Sequence, residues 1–537
     1  MRTINRRRML GFAATSSGTL LLAACGDGNK GNGSNASSAN TANRAPSVGQ
    51  ATPGRAVSPA PKRGGRLTYV QNTDVTPASI PFEGNQSNTL TYSAIYDTLT
   101  RLAPGTLQPQ PVLATSWEFS PDYSQITLHL RPNVKFHSGR AFTSDDVVFN
   151  INAVQQKENN SQLRVIAAAI TKIEAPDPQT VLLHFDQPRP TIFDMFEYLV
   201  IADKETIASG KQGKGFIGTG PFVWKDWTPN DHLIFERNPD YWQPGLPYLD
   251  QITLRVVPDV QTQLIDLQTG TADIAANIEP KTIKQLQGDN KYVVPKVPAN
   301  RAWYVGINVK VTPFNDQRVR QAIAYLIDRQ RFVDTVLFGF GDPTDLPWPV
   351  DSPANNPTLA TQYAYDPQKA KALLSAAGVT SVSTDITVSQ LYIQAQGLAT
   401  LLQQELANVG INATITKIEH AQYVPILTNG GFKGLWTAPV GFNMLHPSTL
   451  FQQSFPYRVP NSSNFDTPEY RNLIQRVLTA PDDQQKAATD DMNRYLLDAA
   501  FLLPAATDRV PVVARARVQG MTYTATGALR PELLWVQ

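Results

Sequence analysis

Side chains able to do chemistry are few and scattered. The six histidines, His129, His137, His184, His232, His420 and His446, have no second histidine three or four residues away, so a helix-borne metal pair is absent. A literal Gly-x-Gly-x-x-Gly, Gly213-Lys214-Gly215-Phe216-Ile217-Gly218, runs into Thr219-Gly220-Pro221 and then strand-like Phe222-Val223-Trp224. A dinucleotide loop must enter a helix, whose free N–H groups meet the pyrophosphate, so this stretch reads as a turn before a strand. There is no Gly-x-Ser-x-Gly elbow, and the single cysteine, Cys25, supplies neither a disulfide framework nor a Cys-based zinc cluster. The pairs Asp145-Asp146 and Asp482-Asp483 stand where helix caps belong. A hydrolase using two distant carboxylates is visible only in the fold, so that class stays open. Aromatic residues in turn-like settings remain: Trp303-Tyr304, Trp348, Tyr392, Trp436 and Phe442. Most of these read as core. Trp436 lies within the Gly-rich stretch Gly430 to Gly441, and an aromatic on such a loop can line a cleft and face a ligand.

The elements that would position such groups are legible in the periodicity. Arg66 to Val70, Ile126 to Leu130 and Ile252 to Val256 alternate as strands do. Asp316 can cap a helix with Val319, Ala322, Ile323, Leu326 and Ile327 on one stripe. Asp366-Pro367 opens a helix through Ala370, Leu373, Leu374 and Ala377, and Gly378 stops it. Leu398, Leu401, Leu402 and Leu406 make another helical face, ended by Gly410, and Ile411, Ala413 and Ile415 follow with period two. Such alternation predicts an α/β architecture with sheets covered by helices.

The chain has 537 residues, 42% hydrophobic and 17% charged, enough for two to four domains and too apolar for disorder. Its first 24 residues carry Arg2, Arg6, Arg7 and Arg8 and no acid; without them the formal charge of +2 becomes −2. No global field then remains to hold a nucleic acid. Arg6-Arg7-Arg8 followed by the apolar run Leu10 to Ala24 is the pattern of a secretory signal, too short to span a bilayer. Leu22-Ala23-Ala24-Cys25 resembles a bacterial lipobox, in which the cysteine is acylated and becomes the mature N-terminus. Residues 1–24 are therefore expected to be a signal peptide. Residues 25–61, rich in Gly, Asn, Ser, Ala, Thr and Pro, are expected to be a disordered tether. Asn5 to Leu10 resembles a twin-arginine signal and fits an ordinary basic n-region equally. The expected location is the outer face of the cytoplasmic membrane, held through Cys25.

Several motifs, in order, resemble one family. They are Leu113 to Glu118, Leu128 to Gly139, Thr143 to Phe149, Gly218 to Phe222, Arg237 to Trp242, Leu267 to Ile274, Asp316 to Ala322 and the Asp366 to Gly378 helix. Over nearly all of 62–537 the chain resembles the family 5 extracellular solute-binding proteins of bacterial ABC importers, the dipeptide, oligopeptide and nickel type. The resemblance implies an α/β fold, periplasmic-binding-protein type II-like, with two lobes, a hinge and three domains on a discontinuous path. Domain I would comprise 62–96, 215–303 and 504–537; domain II, an insertion, 97–214; domain III, 304–503. It implies a hinge where strands cross near residues 303 and 504, and a small solute trapped between domains I and III as the lobes close. Partners would be permease transmembrane subunits with cytoplasmic ATPases; no cofactor, metal or catalytic step is implied. Alignment of loops points to Gly84, Asn85, Tyr392, Trp436, Thr437 and His446 as ligand contacts.

The chain also departs from its relatives. Dipeptide binders carry Trp-Thr-Gly-Asp, whose aspartate meets the ligand's ammonium group, where this chain has Trp436-Thr437-Ala438-Pro439. No acid lies between His420 and Phe465, and no Lys or Arg between Thr380 and Asn408, where the family's carboxylate-binding residue stands. A buried charge without a partner is strongly unfavourable. Hence the expected ligand is longer than a dipeptide or uncharged at this end, unless residues such as Glu83 replace the anchors. An oligopeptide held by backbone hydrogen bonds is favoured; an oligosaccharide stacked on Trp436 and Tyr392 is the alternative, and a surface-anchored hydrolase the competing class.

Overall fold

The structure, a computed structural model, describes residues 60–75, 82, 89–159, 161–208, 216–276 and 278–537. The expected signal peptide, Cys25, most of the expected tether, and Glu83, Gly84 and Asn85 lie outside the described residues. Among those described, no helix is long and apolar enough to cross a membrane.

Three sheets carry the fold. In the first, Arg66–Gln71 is central, with Gln251–Val256 parallel on one side and Ile274–Ala275 parallel on the other. His232–Arg237 and Phe222–Thr228 extend one edge antiparallel, and Val513–Arg515 and Tyr292–Val293 extend the other. Leu67, Phe222, Leu233, Phe235, Ile252 and Leu254 share one buried core, the inward positions of the alternating pattern. Thr219-Gly220-Pro221 leads directly into Phe222–Thr228, as the turn reading predicts.

The second sheet has the order Gly341–Pro343, Leu502–Asp508, Arg301–Ile307, Leu435–Val440, Val382–Ser389, Ile411–Ile418. The last three strands are parallel; Arg301–Ile307 runs antiparallel to both of its neighbours. Every residue of Leu502–Asp508 is buried, and all of Arg301–Ile307 except Arg301, because helices cover both faces. Two of those helices begin as expected. The Asp316 carboxylate accepts the Arg318 N–H at 2.8 Å ahead of Gln317–Leu326, and Asp366 accepts that of Lys369 at 2.9 Å ahead of Pro367–Ala376.

The third sheet is antiparallel: Ala114–Phe119, Gln125–Leu130, Thr180–Phe185 and Ile170–Asp177. It packs on Ser144–Gln155, where Asp146 reaches back to the Thr143 N–H at 3.0 Å. Asp482 and Asp483 stand in the first turn of Asp482–Ala499 rather than at its cap, which is Pro481 without a side-chain cap bond. This unit is inserted between two strands of the first sheet.

The chain leaves the first sheet for the second through residues 294–300 and returns through 509–512. The crossings run side by side: the Asn300 N–H donates to the Asp508 carbonyl at 3.1 Å. They fall a few residues outside 303 and 504, because both strands are hydrogen-bonded into the second sheet, with Trp303 opposite Ala506 and Tyr304 opposite Pro504. Two lobes joined by a double connection result.

Candidate ligand-binding cleft

Parallel strands present unpaired backbone groups at their C-terminal ends, and ligands of open α/β sheets bind outside those ends. In the first sheet the ends are Gln71, Val256 and Ala275; in the second they are Ser389, Ile418 and Val440. Both edges meet at the crossings, since Val440 pairs with Ala302 and Asn300 stands beside the first-sheet ends.

A cavity of about 290 Å³ opens against the first-sheet edge, lined among others by Tyr69, Gln71, Asn300, Thr526 and Tyr523. No charged residue lines it among the described residues. Burial pushes the Tyr523 hydroxyl well above its ordinary pKa, and that hydroxyl has no hydrogen-bond partner among the described residues. A neutral donor is thereby left unpaired at the cavity wall.

On the second-sheet side, half-buried Tyr392 precedes the helix Ile393–Ala407 and sets its ring edge-on to His420 at 5.3 Å. Leu391 and Ile393, which flank it, are 61% and 74% exposed. Burial raises the Tyr392 pKa, and nearby Arg301 partly offsets this. Arg301 itself is spent: its Nε and Nη2 donate to Asp508 at 2.8 and 2.6 Å, and its guanidinium lies 4.6 Å over Trp303. The cleft therefore offers neutral hydrogen-bonding groups, apolar surface and one neutralised ion pair. Among the described residues no group of three His, Cys, Asp or Glu can hold a metal.

Other expected contacts stand elsewhere. Trp436 is not on a loop; it belongs to the strand Leu435–Val440 and is 0% exposed. Its indole stacks on Phe432 at 5.1 Å and occupies the space above Gly306, where a Cβ would fall inside the ring. Thr437 is equally buried: its hydroxyl donates to the Ala395 carbonyl, and its own carbonyl accepts the Tyr423 hydroxyl, both at 2.9 Å. His446 caps the helix Pro447–Gln453, with Nδ1 accepting the Ser448 N–H at 3.2 Å. Burial pushes its imidazole down to about 4, and it lines a separate cavity of about 650 Å³ between the four-stranded unit and Asp482–Ala499. Tyr392 alone, among the described candidates, presents a partly open side chain at the strand ends. Sequence reasoning missed Tyr69, Asn300, Arg301 and Tyr523. The place of Asn300 and Arg301 just before the expected crossing was a usable signal; Tyr523, in the C-terminal segment, had none.

Comparison with known proteins places this geometry. Residues 108–459 match the family described as bacterial extracellular solute-binding proteins, family 5 Middle. The glutathione-binding protein GsiB of Shigella flexneri is 31% identical over 396 residues, covering 70% of this chain and 76% of that protein. HbpA2 from Haemophilus parasuis shares the fold at a TM-score of 0.77 and 23% identity, over 88% of this chain and 100% of that one. DppA from Helicobacter pylori, a periplasmic binding protein solved with the peptide STSA, does so at 0.72 and 24%, over 88% and 98%. With the family match spanning most of the length, the chain belongs to the family 5 extracellular solute-binding proteins, binding components of ABC importers and not enzymes.

Proposed function

We propose that the protein captures a peptide-like solute longer than a dipeptide between its lobes and delivers it to a permease for ATP-driven uptake, tethered by an acylated Cys25. The carrying observation is the uncharged cavity at the meeting of the strand ends. A dipeptide brings an ammonium and a carboxylate close together, and each needs an opposite charge when buried. Here the nearby Arg301 is already paired with Asp508. A longer peptide carries its charged ends farther out and offers amides and carbonyls to Gln71, Asn300 and Tyr523. The glutathione-binding relative, whose named ligand is a tripeptide, supports the same class.

Residues 294–300 and 509–512 would flex as the lobes close, bringing Tyr392, Leu391 and Ile393 over the guest. The oligosaccharide reading loses its platform, because Trp436 has no exposed face to stack on. A thermal-shift panel tests the assignment: dipeptides, tri- to octapeptides, and gluco- and xylo-oligosaccharides. Ligand at a hundred times its dissociation constant stabilises by about 2.7 kcal/mol. The longer peptides should raise the melting temperature and be recovered with unchanged mass. A shift with dipeptides alone, or with sugars alone, overturns the reading.

A further inference from the structure

Away from the cleft, a polar seam joins the four-stranded unit to the second-sheet lobe. Asp194, in the helix Phe193–Tyr198, is 3% exposed, and its Oδ2 accepts the His446 N–H at 3.0 Å and the Thr449 hydroxyl at 2.5 Å. The Thr191 and Ser448 hydroxyls meet at 2.8 Å. Arg189 Nη1 donates to Gln452 Oε1 at 3.3 Å, and Gln475 Nε2 donates to Gln187 Oε1 at 2.6 Å. Beside them Met444 and Leu445, from the segment ahead of Pro447–Gln453, are buried in the same apolar core as Ile192, Phe193 and Phe196. None of these residues lines the strand-end cavity.

We propose that this seam is a clasp made as the lobes close, with Asp194 as its positioning residue, so that affinity is set partly by residues that never touch the solute. The inference rests on the two-lobe capture described above. Among the described residues, both hydrogen bonds that the Asp194 carboxylate accepts come from the opposite lobe. When the seam parts, water can satisfy Asp194, the His446 N–H and the Thr449 hydroxyl; when it closes, they satisfy one another. An intermediate gap satisfies neither, which makes the contact two-state rather than graded. Met444 and Leu445 add apolar burial to the closed arrangement only.

The test reads closure directly. Nitroxide labels at Lys172→Cys in the four-stranded unit and Lys371→Cys in the other lobe, on a Cys25→Ala full-length chain, report the distance between them. Glutathione and the tetrapeptide Ser-Thr-Ser-Ala serve as probes. Asp194→Ala should raise the open fraction about tenfold, the effect of losing two buried hydrogen bonds. Asp194→Asn, whose amide oxygen still accepts both, should stay closed. Adding Thr449→Val to Asp194→Ala should change nothing more, since both members act in one unit. Should Asp194→Ala fail to fold, Thr449→Val with Ser448→Ala carries the comparison. A wild-type distance that responds to a probe while every variant behaves as wild type overturns the clasp alone. So do equal effects of the Ala and Asn changes. A distance fixed in the wild type and in all variants, whatever is added, overturns the two-lobe capture itself.

Discussion

Trp436 marks where residue-scale reading of the sequence fails. The stretch around it, Gly430 to Gly441, holds four glycines, a composition that signals a loop, yet Gly434 serves close packing instead. A Cβ on Gly434 would run into Thr384 and Asp385 of the adjacent parallel strand, and one on Gly306 would enter the indole itself. The glycines thus allow backbones and a large ring to approach, which looks the same in one dimension as a flexible turn. It follows that Trp436→Ala is a core deletion and not a ligand-contact deletion. Denaturant unfolding should show a loss of about 3–5 kcal/mol, the range for removing a buried aromatic from a core. A variant of wild-type stability would put Trp436 back in the cleft. His446, likewise expected as a ligand contact, stands instead at the start of a helix, capping Pro447–Gln453.

At the scale of elements, strands with one wet face were legible and those buried on both faces were not. Gln125–Leu130 and Gln251–Val256 alternate, because one side of each is less deeply buried than the other. Arg301–Ile307 and Leu502–Asp508 show no alternation, being covered by helices on both sides, so the joint between the lobes left no periodic trace. Helix caps survived better, because a cap depends on a few adjacent residues. Buried carboxylates on and around these elements yield a pH prediction. Asp97 accepts from the Trp242 indole N–H at 2.8 Å and the Thr219 hydroxyl at 3.1 Å, and burial raises it to about 6. Glu197 accepts the Leu102 N–H at 2.6 Å, and burial raises it to about 7, as it does Asp194. The folded chain therefore holds protons that the unfolded chain has already lost, and these groups make stability fall as pH rises from about 4 to about 7. Buried His137 and His446, pushed down to about 4, act oppositely, withdrawing stability as pH falls from about 6.5 to about 4. Glu197→Gln isolates the first effect. Measured by denaturant at pH 5 and pH 7.5, the variant should lose less stability over that interval than the wild type; an equal loss would count against the burial of this carboxyl.

For the whole molecule, a discontinuous chain path with two lobes was implied by the family resemblance and not by any local pattern. One sheet is assembled from strands before residue 72, from 222–293 and from 513–515, and no window of sequence contains that information. The proposed anchor rests on local pattern alone: a basic start, an apolar run and Cys25. Cys25→Ser should move the protein from the membrane to the soluble fraction of cells, and mass spectrometry of the wild-type mature N-terminal peptide should find acyl chains on its sulfur. An unmodified thiol there would remove the tether from the account while leaving solute capture untouched.

The paired crossings carry one more implication. A single strand between two bodies permits swivel, twist and shear in any mixture, whereas two strands fastened side by side leave one easy motion, rotation about the line through both pins. Each swing must then bring the same atoms back to the same address. Substitutions far out on either body should alter how wide the gate opens and how long it lingers, while the path it sweeps is dictated by a handful of residues around Asn300 and Asp508.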